Sequence, residues 1–113
     1  MKINGIYIEF NPDENSENFK NFDNAYSTIA KKSKKNEEKL SNKEISKQKF
    51  EKKQVKLIKN FFESITDCET SEKLFETCCN INDYINIFRK CTRMVSCTRI
   101  LYNQMLSIKR KQK

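Results

Sequence analysis

The chain of 113 residues carries 23 Lys and Arg against 15 Asp and Glu, a net charge of +8, with 36% apolar residues, one Gly, one Pro and no His. That composition supports one modest core in a single small domain spanning residues 1–113. It leaves no His for a catalytic triad or a mixed metal site, and no glycine-rich loop to cradle a phosphate. No run of about 18 apolar residues occurs, and no cationic segment leads into an apolar block, so neither a membrane span nor a secretory signal is expected. The expected location is the cytoplasm.

In chain order, residues 1–10 read as a β-hairpin. Asn4-Gly5 suits a type I′ turn, in which both central residues need positive φ. Ile6, Ile8 and Phe10 then share one face of the returning strand, opposite Tyr7 and Glu9. A hairpin this short is marginal alone and must dock onto a helix or another sheet edge. Ile6, Ile8 and Phe10 are therefore the expected partner-binding face.

Asn11-Pro12-Asp13-Glu14 reads as a helix start, with Asn as cap, Pro in the first turn and acids at the positive end of the dipole. The spacing of Phe19, Phe22, Tyr26, Ile29 and Ala30 predicts an apolar stripe on a helix over residues 12–39. From Lys31 to Lys39 no apolar residue appears, so this end is expected to project into solvent or fray. Ser41-Asn42-Lys43-Glu44 matches a capping box and predicts a second helix over 42–65, whose apolar patch is Val55, Leu57, Ile58, Phe61, Phe62 and Ile65. A short helix over 71–78 points Leu74 and Phe75 inward. Asn80 with Asp83 caps a last helix over 81–108, lined by Ile81, Tyr84, Ile85, Phe88, Cys91 and Val95. Leu101, Met105 and Ile108 continue it on a slightly rotated stripe, and residues 109–113 form a basic tail. The predicted fold is mainly α: a short N-terminal β-hairpin followed by a small bundle of three to four helices.

Chemistry is sparse. Cys68, Cys78, Cys79, Cys91 and Cys97 form an odd set without a zinc-ligand spacing, and the adjacent pair would make a strained disulfide, so reduced, structural thiols are expected. No catalytic residue, metal or cofactor is assigned. Charge instead alternates in blocks: net −3 over residues 1–30, +8 over 31–59, −5 over 60–88 and +8 over 89–113. Such alternation permits attraction between helices or between copies, hence a homo-oligomer, as readily as polyanion binding. Arg89, Lys90, Arg93 and Arg99 recur along the last helix and, with Lys109, Arg110 and Lys111, are the candidate polyanion-binding residues.

The order of these pieces resembles a group of short proteins of poorly defined function encoded by clostridial and related phages and prophages, often near tail genes. Met1-Lys2-Ile3-Asn4-Gly5 with Ile6, Ile8 and Phe10 is similar to that group's hairpin, and Glu17, Phe19 and Ala25 to its first helix. Phe61-Phe62-Glu63, Thr70-Ser71-Glu72-Lys73-Leu74-Phe75, Asn80 and Phe88 resemble its doubled aromatic, T-x-E-K-L-F helix and last helix. The resemblance implies a non-enzymatic interaction or assembly protein of the tail assembly chaperone type, whose partner is a tail component such as the helical tape-measure protein. Two alternatives stand beside it: a basic helical nucleic-acid-binding protein, and a phage-encoded inhibitor that binds a host defence protein.

Overall fold

A computed structural model describes the backbone of residues 1–111 and the side chains of residues 1–109. Strands β1 (Lys2–Ile3) and β2 (Ile6–Tyr7) pair antiparallel, Lys2 opposite Tyr7 and Ile3 opposite Ile6. Asn4 at φ 53° and Gly5 at φ 78° make the two-residue turn. Reciprocal bonds between Met1 and Ile8 extend the ladder by one pair, Ile8 N–H to Met1 O at 2.7 Å and Met1 N to Ile8 O at 2.9 Å.

Four helices follow among the described residues: α1 (Glu17–Ser41), α2 (Lys47–Ile65), α3 (Cys68–Leu74) and α4 (Ile81–Lys111). The mainly-α expectation with a leading hairpin is what the chain adopts, but three helix starts fall elsewhere. Asn11 does not cap α1. Its Oδ1 accepts from the Asp13 N–H, and Asp13 Oδ1 accepts from the Asn15 N–H, so residues 11–15 are spent in side-chain-closed turns. Ser16 caps instead, its Oγ accepting from the Phe19 N–H at 3.1 Å.

Ser41 likewise opens nothing; it is the last residue of α1. Lys43 N–H bonds to Leu40 O and Glu44 N–H to Lys39 O, closing the helix in a Schellman motif with Lys43 left-handed at φ 59°. Ser46 then caps α2. The short helix spans 68–74 rather than 71–78, because Asp67 Oδ1 accepts from the Thr70 N–H at 2.7 Å and starts it early. That bond and the Thr70 hydroxyl hold the Asp67 carboxyl below its ordinary pKa. Asn80 and Asp83 do exchange capping bonds at the start of α4. At the far end, residues 109–111 are helix rather than tail, and the part of the predicted tail at 112–113 lies outside the described residues.

The helices meet around Phe61 and Phe62. Ring contacts run from Phe10 to Phe22 (5.5 Å between centroids), Phe22 to Phe61 (5.6 Å), Phe61 to Phe88 (5.0 Å), Phe62 to Phe75 (5.4 Å) and Phe75 to Tyr84 (4.9 Å). Most cross edge to face, the arrangement that aligns ring edges with neighbouring π faces. Every helix and the hairpin contribute to this one core, which also holds Ile3, Ile8, Ile29, Ile58, Leu74, Ile87, Cys91 and Val95.

The pairing of Phe22 with Phe61 at one end and Asn36 with Gln54 at the other makes α1 and α2 an antiparallel hairpin. Its lysine-rich end stays helical instead of fraying. Asn36, only 8% exposed, donates to Gln54 Oε1 at 3.1 Å, and Gln54 donates to Ser33 Oγ at 2.8 Å, so amides do there what apolar side chains do in the core. Tyr26 stacked on Phe88 and Arg99 over Phe19 set α4 antiparallel to α1. The molecule measures 59 × 31 × 20 Å, with the α1–α2 tip at one end and the last turns of α4 at the other.

Phe62 is 0% exposed, and Phe62→Ala is expected to destabilise the fold by about 3–5 kcal/mol in urea unfolding; a loss below about 1 kcal/mol would show that it is not the core's centre. Lys43→Gly is expected to stabilise the fold by roughly 0.5–1 kcal/mol, because glycine removes the steric cost of left-handed backbone. A drop in stability would contradict the left-handed geometry.

Candidate protein-interaction surface

The hairpin face expected to meet a partner is turned inward. Ile8 is 1% exposed and Ile3 2%, while Ile6 and Phe10 are half-buried against the same core. The face docks on the chain's own helices because these strands are too short to bury their apolar side chains in each other. Tyr7, on the outward face, is exposed.

The cationic residues of α4 do not form one stripe. Arg89, Lys90 and Arg93 are exposed on one side of the helix, whereas Arg99 is rotated toward α1 and lies over the Phe19 ring at 4.6 Å from its centroid. Half-buried in a cation–π contact, Arg99 serves packing. Lys109 is exposed, and the side chains of Arg110 and Lys111 lie outside the described residues.

Among the described residues, the continuation expected on the inner face of α4 is the largest apolar exposure. At about 100° per residue, the direction of Leu101, Met105 and Ile108 has swung roughly a quarter turn from that of Tyr84, Cys91 and Val95. With the neighbouring Ile100 these side chains are 57–61% exposed, and they make up four of the six large exposed hydrophobics among the described residues. The cause is geometric. The Arg99–Phe19 contact marks the start of α1, and beyond it α4 outruns the body, so nothing is left for its rotated stripe to meet. Leu101, Met105 and Ile108 sit at i, i+4 and i+7, the spacing of a face that lies along another helix. The signal was present in the sequence as the rotation of the stripe.

Among the described residues, no group of three or more Cys, Asp or Glu converges as a metal site, and no helix is long and apolar enough to cross a membrane. All five thiols are free, Cys78 and Cys79 included. Burial pushes the Cys91 thiol up to about 12, and raises Cys78 as well.

The architecture is thus a helical body capped by a hairpin and extended by an exposed apolar helix end. The chain belongs to a family of unknown function (DUF6673), whose pattern matches residues 4–112. No curated protein matches the chain, and no solved structure does.

Under native conditions a thiol reagent is expected to label exposed Cys68, Cys79 and Cys97 first and Cys91 only on unfolding, as read by peptide mass spectrometry. Labelling of Cys91 as fast as Cys97 would refute its buried placement.

Proposed function

We propose that the protein is a non-enzymatic interaction and assembly protein of phage or prophage origin, of the tail assembly chaperone type, acting in the host cytoplasm through the C-terminal arm of α4. The exposed stripe of Leu101, Met105 and Ile108 carries this reading. Burying each such side chain against a partner contributes about 1.5–3 kcal/mol, whereas association costs roughly 4–15 kcal/mol in lost freedom. One arm on one helix is therefore weak. A long helical partner along which neighbouring copies also contact one another fits that arithmetic, because copies joined side by side bind with added avidity. The resemblance to tail-associated phage proteins names such a partner, the tape-measure protein.

The test is co-expression with the tape-measure protein encoded in the same genome. Wild type is expected to co-purify with it, and Leu101→Glu with Met105→Glu is expected to reduce the captured amount at least about tenfold while leaving the circular dichroism unchanged. Capture of the double variant at wild-type level would overturn the arm as the binding surface; failure of the wild type to co-purify would overturn the chaperone reading.

A further inference from the structure

The α1–α2 hairpin has two sides, and α4 covers only one. Along the other, α1 and α2 alone line a continuous seam. Toward the tip its walls are Lys32, Lys35 and Lys39 from α1 and Lys53 and Lys56 from α2. Toward the base the seam continues between Asn24 and Thr28 on one wall and Asn60 on the other. No Asp or Glu lines either part, and none of the five lysines makes an ion pair; the one salt bridge among the described residues is Lys73–Glu69 on α3.

Such crowding works against the fold, since five like charges repel. The α1–α2 hairpin stays closed because Asn36 and Gln54 bond across it, with Asn36 buried on the floor between the lysine walls. The floor's Ile29 and Phe61 are buried, and its one accessible apolar residue is the half-buried Leu57, so what sets the seam apart is its unpaired charge, with apolar contact supplied by Leu57 and the lysine stems. A protein helix seeking an apolar anchor gains little there, and bases find no exposed ring to stack on. A polyanion gains most.

Lys32, Lys35 and Lys39 rise along α1 in axial steps of about 4.5 and 6 Å. Charge repeats about every 3.4 Å along one strand of a duplex, closely enough for each lysine to find a phosphate. Lysine ammoniums are point charges without the forked geometry that reads base edges, so the seam suits a backbone in any sequence.

We infer that this α1–α2 seam is a binding site for the phosphodiester backbone of a nucleic-acid strand, held by Lys32, Lys35, Lys39, Lys53 and Lys56. The inference is independent of the apolar arm and moves polyanion binding from α4, where the sequence pattern suggested it, to the other side of the α1–α2 hairpin, away from the cavity that Arg89 lines with Ser33, Glu37 and Gln54.

Fluorescence anisotropy with a labelled oligothymidylate of about 20 nucleotides tests it on the full chain. Five phosphate contacts give a log–log salt slope of about −3.5, a loss of roughly 100-fold in affinity between about 50 and 200 mM salt. Lys32→Gln, Lys35→Gln and Lys56→Gln together are expected to weaken binding at least about tenfold and flatten the slope by about 2. These three are exposed, so the fold should persist, as circular dichroism would confirm. Arg89→Gln with Arg93→Gln on α4 is expected to change affinity less than about twofold. Equal losses from both sets would mean diffuse charge and overturn the site, as would no binding at about 50 mM salt. Polyglutamate that binds more tightly than the oligonucleotide and depends on the same three lysines would overturn the ligand class in favour of an acidic protein.

Discussion

The contact on which everything else rests is the edge-to-face pair of Phe61 and Phe62, with ring centroids 5.2 Å apart. Two consecutive helical residues point about 100° apart, so an adjacent aromatic pair faces two directions at once. Phe61 meets Phe22 of α1 and Phe88 of α4; Phe62 meets Phe75 just beyond α3. A chain with so little apolar content joins four helices and a hairpin because one doubled aromatic serves as the common neighbour. The hairpin, too short to stand alone, survives by burying Ile3 and Ile8 in the same core.

Away from this centre the protein changes its means of cohesion. From Lys31 to Lys39 the outer half of the α1–α2 hairpin has no apolar residue on α1 and is held by amide and hydroxyl groups bonded in series from Asn36 through Gln54 to Ser33. Such bonds lose little when flanked by solvated lysines, and they fix the register of two helices that carry no core there. The opposite arm, the end of α4, has the reverse character, apolar and unbonded. One end of the molecule thus presents charge on a paired scaffold and the other presents hydrocarbon on a single helix.

Much of the fold was legible in the sequence where one residue type meets one backbone requirement. Asn4-Gly5 fixed the hairpin turn, the doubled aromatic marked the core, and Asn80 with Asp83 marked the start of α4. The misplaced boundaries share a cause: several residues in a row could cap, and the tertiary structure chose among them. Asn11 and Ser16 are both competent caps, yet Asn18, already helical, bonds back to Glu9 O and to the Asn11 N–H, which places residue 11 outside the helix. Ser41 lost to Ser46 because Lys43 took the left-handed position that ends α1. The surface sites were less legible. The lysine seam exists only once two segments far apart in sequence lie antiparallel, and no single-helix periodicity contains it. The apolar arm was visible as a rotated stripe, but that it is bare depends on where α1 begins.

The only glycine and the only proline of the chain lie at positions 5 and 12, so α4 runs from its cap through the core and out along the arm without a breaker. A helix without a breaker has no natural kink point. The arm is therefore a lever clamped by Phe88, Cys91 and Val95 and steadied where Arg99 crosses Phe19. The direction in which the stripe faces is set by the packing of residues several turns away.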